Sequence, residues 1–176
     1  MIEIFKQAGE SDNQAIADEI IAHPDRYIPP VLFFLAEVLF RNGRYEEAIF
    51  WYHAGHIRGA FDTKRCLDKT VHSYLPMLLT YYGAELKKYM GSHLSTLERI
   101  VPQVIEWDRN TPHNYDHRWI NLRGSDATNL PVNDMDNNEL TSAPSDEWQT
   151  IEEYVRTEYL KSFRACMEKM KKNRNR

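Results

Sequence analysis

PPVLFFLAEVLFRNGRYEEAIFWYHAGHIRGAFD, residues 29–62, is the stretch that decides the fold. Its two prolines suit the first turn of a helix, where a missing N–H is unpaired in any case. The next ten residues are apolar except for Glu37, which predicts a helix that is buried on most sides. Gly43 predicts the end of this helix, because glycine adopts the left-handed cap conformation without a Cβ clash. A second helix is predicted from Tyr45 onward, so the stretch indicates a helical hairpin.

This hairpin resembles a tetratricopeptide repeat. The positions that match the pattern of that repeat are Leu32, Leu35, Ala36, Leu39, Gly43, Tyr45, Ala48 and Tyr52. Trp51 and Tyr52 followed by Gly59 are also similar to the Sel-one-like repeat, whose second helix carries a Trp-Tyr pair and a later glycine. Ala54, Gly55 and Ala60 depart from the residues that are usual in these families. The resemblance covers one unit, residues 29–62, and implies a helical scaffold of a kind that usually binds other proteins.

Further helices are predicted on both sides of the hairpin. Ile16, Ala17, Ile20 and Ile21 form an apolar face that should end before His23-Pro24. After the hairpin, Cys66, Leu67 and Val71 are candidate core positions, and a later helix is expected to break at Gly83. A capping box at Ser95 and Glu98 predicts the start of another helix.

The second half of the chain predicts a long insertion followed by one long helix. Residues 108–145 lack periodicity and are rich in Asn, Asp, Thr and Pro, which favour turns. From 146 to 172, apolar residues recur at three- and four-residue steps, which predicts a C-terminal helix that covers the end of a short helical stack. We therefore predict an all-α fold of about six helices, arranged as antiparallel hairpins in a single domain, residues 1–176.

Composition restricts the class of protein. Ten Tyr, seven Phe and four Trp against seven Gly and eight Pro favour a helical domain over a β-sandwich or barrel. Cys66 and Cys166 are too far apart in sequence to suggest a disulfide framework and are predicted to be reduced thiols. The sequence has no secretory signal pattern and no apolar run of roughly 20 residues. We expect a soluble cytoplasmic protein with no membrane partner.

Charge is unevenly distributed along the chain. No Lys or Arg lies between Arg123 and Arg156, whereas eight carboxylates do. This excess predicts a negative field that attracts a basic partner; the alternative is a solvated acidic loop. The basic run from Lys171 to the end predicts a solvated terminus rather than a nucleic-acid site.

The leading hypothesis for function is non-enzymatic protein binding. In general character, though without a matching motif, the chain is similar to bacterial immunity proteins, which neutralise a cognate toxin. The residues predicted to contact the partner are Trp51, His56, Arg58, Asp126, Asp134, Asp136 and Glu139. A peptide-binding adaptor, which would use the groove of the hairpin, is another alternative.

An enzyme is the rival hypothesis, because polar residues cluster between Asp108 and Arg118. His113, Asp116 and His117 are the candidate acid, base or metal-ligating groups of a hydrolase or nuclease-like protein. Pro112 and Asn114 predict a turn there, and no HExxH pattern is present. We therefore predict that these groups fix the loop by hydrogen bonds, and we expect no cofactor, metal site or catalytic residue.

Overall fold

The described part of the chain contains six α-helices. The computed structural model describes residues 10–123 and 142–174. The helices are α1 (Glu10–Ala22), α2 (Pro29–Arg41), α3 (Tyr45–Arg65), α4 (Tyr74–Ser92), α5 (Leu94–Asn110) and α6 (Trp148–Arg174). Short 3-10 helices lie at Pro24–Arg26, Lys69–Ser73, His117–Trp119, Asn121–Arg123 and Ser145–Glu147. No β-strand occurs in these residues, so the prediction of an all-α fold is confirmed.

The α2–α3 hairpin forms for the local reasons that the sequence contains. Pro29 and Pro30 occupy the first turn of α2. At its other end Gly43 has a φ of 75°, and the N–H of Arg44 donates to the carbonyl of Leu39 at 2.9 Å. This left-handed cap satisfies a helix carbonyl and turns the chain directly into α3.

α3 is the central helix, because it packs against α2, α4, α5 and α6. The apolar core lies mainly around α2 and α3. The most deeply buried large side chains of this core include Ile20, Leu32, Phe33, Leu35, Leu39, Ile49, Ile57 and Val104. Many polar side chains of α3 are buried as well. Since a buried polar group without a partner is costly, those side chains need hydrogen-bond partners from neighbouring elements.

Gly83 does not break α4, contrary to the prediction. The helix runs from Tyr74 to Ser92 through Gly83, where a Cβ atom would lie 2.6 Å from the hydroxyl oxygen of Tyr52. The absence of a side chain therefore permits a close approach between α3 and α4. The glycine serves packing between helices rather than a change of backbone direction.

Four other predictions need correction, one in the burial of a side chain and three in the boundaries of elements. Leu67 is 49% exposed, whereas Cys66 and Val71 are buried as expected. Ser95 lies inside α5, which begins after His93 and has no side-chain cap. The insertion predicted at 108–145 starts later, because α5 continues to Asn110, and the C-terminal helix predicted at 146–172 spans Trp148–Arg174.

Residues 111–123 fold back over the C-terminal half of α3. Tyr115 is buried beside α3, and Ile120 joins Cys66 and Val71 in a second small apolar cluster. On the far side of the undescribed residues, Ser142 forms an isolated antiparallel bridge with Cys66. α6 then crosses α3 and α5. None of the six helices is both long enough and apolar enough to span a bilayer.

Candidate functional site

Arg58 is the centre of a buried polar network between α3, α5 and α6. Its side chain is fully buried. Nη1 donates to the carbonyl of Pro24 at 3.2 Å, and Nη2 donates to the carbonyls of Thr111 and Pro112 at 3.1 and 3.4 Å. The guanidinium also lies over the ring of Trp107, 4.4 Å from its centroid. Arg58 therefore joins the α1–α2 connection to the end of α5 by fixed, directional contacts.

Asp108 supplies the negative charge of this network. One carboxylate oxygen accepts from Nε of Arg58 at 3.2 Å, and the other accepts from Nε of Arg156 at 2.8 Å. Nε2 of His113 lies 3.1 Å from the first oxygen. Burial alone would raise the pKa of Asp108, but the hydrogen bond from His113 and the neighbouring charges lower the pKa below its ordinary value. The carboxylate is thus held ionised between two buried guanidinium groups.

Asp62 forms a second buried cluster, one turn before the end of α3. It accepts from Nη2 of Arg65 at 2.5 Å, from the hydroxyl of Tyr115 at 3.0 Å and from Nε1 of Trp119 at 2.7 Å. Burial raises the pKa of the Asp62 carboxyl, although Arg65 and Trp119 oppose the shift. The guanidinium of Arg65 stacks on Trp148, 4.6 Å from its ring centroid. This cluster therefore ties residues 115–119 and the start of α6 to α3.

The acid-rich segment, residues 124–141, is flanked by residues that contact the C-terminal end of α3. The Cys66 thiol donates to Oδ1 of Asn121 at 3.1 Å, and Cys66 forms the backbone bridge with Ser142. The N–H of Ala143 donates to the carbonyl of Arg65 at 2.8 Å. The predicted partner-binding residues Asp126, Asp134, Asp136 and Glu139 lie outside the described residues, between these two anchors.

Two predicted partner-binding residues of α3 are not on the protein surface. Arg58 is fully buried for the reasons given above, and Trp51 is 6% exposed because it packs edge-on against Phe50 and Trp107. These two side chains therefore have almost no exposed surface to offer a partner. His56 is partly buried, and its Nδ1 lies 3.2 Å from the hydroxyl of Tyr159 on α6.

The three groups of the enzyme hypothesis have separate partners. His113 contacts Asp108 and stacks on Tyr115. Asp116 caps a 3-10 turn by accepting from the N–H of Arg118 and also binds its guanidinium, while the ring of His117 packs edge-on against Trp148. Across residues 10–123 and 142–174, no group of three or more His, Cys, Asp or Glu side chains is placed to hold a metal ion.

Sequence reasoning missed a cavity of about 610 Å³ bounded by α3, α4 and α6. Its wall is mostly apolar. Its polar lining includes a chain of three side chains in which Tyr159 joins two histidines of α3. The Tyr159 hydroxyl lies 2.5 Å from Nδ1 of His53 and 3.2 Å from Nδ1 of His56. The spacing of the two histidines places them on one face of a helix, but their partner is 103 residues or more away in sequence.

Burial keeps both of these histidines neutral at physiological pH. It lowers the pKa of His53 from 6.5 to about 3, with a smaller contribution from His56. It lowers the pKa of His56 from 6.5 to about 4, assisted by the positive charge of Lys87. In the unfolded chain both residues regain their ordinary pKa, so the unfolded state binds more protons between these values.

Acidification is therefore expected to destabilise the protein through His53 and His56. The free energy of unfolding should fall as the pH is lowered from about 6.5 toward 4, by at most roughly 1.4 kcal/mol per pH unit for each histidine. Urea unfolding at a series of pH values measures this slope. The double variant His53→Gln/His56→Gln should have a flatter profile over the same range. The control His72→Gln, at an exposed position, should keep the wild-type slope, and equal slopes in all three proteins would contradict the prediction.

Comparisons of the chain with family models, curated proteins and solved structures find no match. Any function assigned to the protein therefore rests on its own sequence and geometry.

Proposed function

We propose that this chain is a non-enzymatic protein-binding domain, and specifically an immunity-type inhibitor that binds and neutralises a cognate bacterial toxin with a basic surface. The observation that carries the proposal is the joint anchoring of the acid-rich segment at Cys66. Asn121 and Ser142, which lie in the sequence on either side of Asp126, Asp134, Asp136 and Glu139, both contact this residue.

The distribution of charge along the chain supports a partner with a basic surface. Between Arg123 and Arg156 the chain carries eight carboxylates and no Lys or Arg. Four of them lie in the described residues: Asp146 and Glu147 are exposed just before α6, whereas Glu152 and Glu153 pair with Arg156. A concentration of one sign of charge attracts a partner of the opposite sign, accelerates association and makes binding sensitive to salt.

The buried networks support the inhibitor role in a second way. Arg58 and Asp108 fix the end of α5 to α3, and Asp62 fixes residues 115–119 to the same helix. An acidic segment that starts and ends on a rigid support loses less conformational freedom when it binds than one on a flexible support. In this proposal the repeat-like α2–α3 hairpin supports the acid-rich segment, and the partner contacts that segment.

Affinity capture with matched charge variants tests the proposal. The test variant is Asp126→Asn/Asp134→Asn/Asp136→Asn/Glu139→Gln. The control variant makes the same change in net charge at four exposed carboxylates elsewhere, Asp18→Asn/Glu46→Gln/Glu85→Gln/Glu106→Gln. Each immobilised protein is exposed to native lysate, and the recovered protein is then purified and titrated against all three at two salt concentrations.

We expect wild type and control to bind a basic protein, and the test variant to bind at least about tenfold more weakly, as the loss of several interfacial charges predicts. Expression of the captured protein alone should arrest growth of a bacterial host, and co-expression of the wild type should restore growth. Equal binding by the test variant, or a captured protein that is harmless to the host, would overturn the proposal.

A further inference from the structure

The cavity between α3, α4 and α6 combines an apolar wall with a few convergent polar groups. Its apolar lining includes Leu79 and Met90 of α4 and Val155 and Phe163 of α6. A volume of about 610 Å³ lies within the usual range of small-molecule sites, about 300–1,000 Å³. Apolar lining of this kind favours a ligand with a hydrocarbon body.

Three polar groups of the cavity, His53, Tyr159 and His56, form a directional hydrogen-bond chain. Nε2 of His53 is buried and has no partner among the described residues. A buried N–H without an acceptor is rarer than an acceptor without a donor, so we assign Nε2 of His53 as the unprotonated nitrogen. Nδ1–H of His53 then donates to the Tyr159 oxygen, and the Tyr159 hydroxyl donates to Nδ1 of His56.

This chain leaves His56 with its proton on Nε2. His56 lines the cavity and, unlike His53, is only partly buried. Because both nitrogens of a neutral imidazole cannot be donors, the contact with Tyr159 determines that Nε2 offers an N–H. The end of the chain that a ligand can reach therefore presents a donor, which requires an acceptor on the ligand.

The charges at the cavity wall favour a negative acceptor. Lys64 lies with its ammonium over the ring of Tyr154, 5.1 Å from the centroid, and Lys87 donates to the carbonyl of Leu79 at 3.0 Å. Within the described residues neither lysine forms an ion pair. Glu158, the acidic residue of the lining, is paired with Lys161 at 3.3 Å. Two lysine charges at the wall thus have no carboxylate partner in residues 10–123 and 142–174.

We propose that this cavity binds a small hydrocarbon carboxylate, with its chain against the apolar wall of α4 and α6 and its carboxylate at His56 and the two lysines. The proposal does not depend on the proposed toxin partner. Tyr159 and His53 act as positioning residues, because they orient the N–H of His56 rather than contact the carboxylate.

Three ligands of equal chain length test the chemistry of the site. The probes are decanoate, 1-decanol and decyltrimethylammonium, titrated into the full chain by isothermal calorimetry. A second measurement follows the modification of Cys166 by a disulfide reagent, since this exposed thiol lines the cavity. The buried Cys66 serves as the internal control for unfolding.

We expect decanoate to bind at least about tenfold more tightly than the other two ligands and to slow the modification of Cys166 without changing that of Cys66. Equal affinity for the three ligands, or no protection of Cys166 by decanoate, would overturn the proposal.

Variants separate the polar chain from general stability. Tyr159→Phe should weaken decanoate binding about tenfold, because it removes the contact that orients His56. Lys87→Gln should also weaken it, and Lys88→Gln is the matched control, since Lys88 pairs with Glu85 outside the cavity. Circular dichroism confirms that each variant is folded. Should Tyr159→Phe be unfolded, Lys87→Gln decides the matter: affinity equal to that of Lys88→Gln would contradict the proposal.

Discussion

Replacing Asp108 with alanine is expected to lower the free energy of unfolding by about 3–5 kcal/mol, the cost typical of breaking a buried ion pair by removing one partner. Asp108 is the acceptor shared by Arg58, Arg156 and His113. Its removal leaves the guanidinium of Arg58 fully buried, still charged and with only neutral backbone carbonyls as acceptors.

Urea unfolding at pH 7 measures this loss, and an unchanged m-value would show that the native and unfolded states keep their compactness. The control Glu85→Ala removes an exposed ion pair of α4 and should change stability by no more than about 1 kcal/mol. A similarly small effect for Asp108→Ala would mean that water reaches Arg58 and would refute the buried network as a source of stability.

A triple variant distinguishes the effect of the buried charges on stability from the effect of the volume that their side chains fill. Asp108→Leu/Arg58→Met/Arg156→Leu removes the three buried charges of this network at once and retains apolar volume. Such replacements are often neutral or stabilising, because no desolvated charge is left unpaired. We expect the triple variant to recover most of the stability that Asp108→Ala loses. The contacts with Pro24, Thr111 and Pro112 would still be missing, so the recovery should be incomplete.

The α2–α3 hairpin was predictable from sequence because its causes are local. Pro29, Pro30 and Gly43 act through their own backbone preferences, which do not depend on the rest of the chain. The pattern of α6 is likewise local, and only its ends were displaced by two residues. Elements of this kind can be located without knowing what packs against them.

The buried polar groups were not predictable, because their causes are distant in sequence. Arg58 depends on Asp108 and Asp62 on Tyr115, at separations of 50 and 53 residues. A charged residue in a helix is usually exposed, so the sequence alone favours Arg58 as a residue that contacts a partner. One signal in the sequence does indicate burial of Arg58: the residues near it in the helix are apolar on several sides. Gly83 was misassigned for the same reason, since its reason for being glycine is Tyr52 on another helix.

Replacing Asp62 with alanine is expected to destabilise the protein by about 3 kcal/mol or more and to loosen residues 115–123 from α3. The substitution removes the acceptor of three donors, on the buried Arg65 and Tyr115 and the partly buried Trp119. Arg65 is affected most, because its Nε already lacks a partner and its guanidinium is buried. Since Ile120 and Asn121 lie over Cys66, loss of this cluster should make the Cys66 thiol accessible.

Two readouts separate this local opening from global unfolding. In a Cys166→Ser background, the modification rate of Cys66 should rise in Asp62→Ala under conditions where urea unfolding shows the protein still folded. The matched control is Asp116→Ala, an exposed aspartate of the same segment that caps a 3-10 turn; its loss should cost about 1 kcal/mol, as for other capping residues, and leave Cys66 protected. Because Cys66 also holds Ser142, opening at Asp62 would release both anchors of the acid-rich segment together. If Cys66 stays protected in Asp62→Ala, the prediction is contradicted. The anchoring of the acid-rich segment would then not depend on the Asp62 cluster and would rest on the backbone contacts of Cys66 and Arg65 alone.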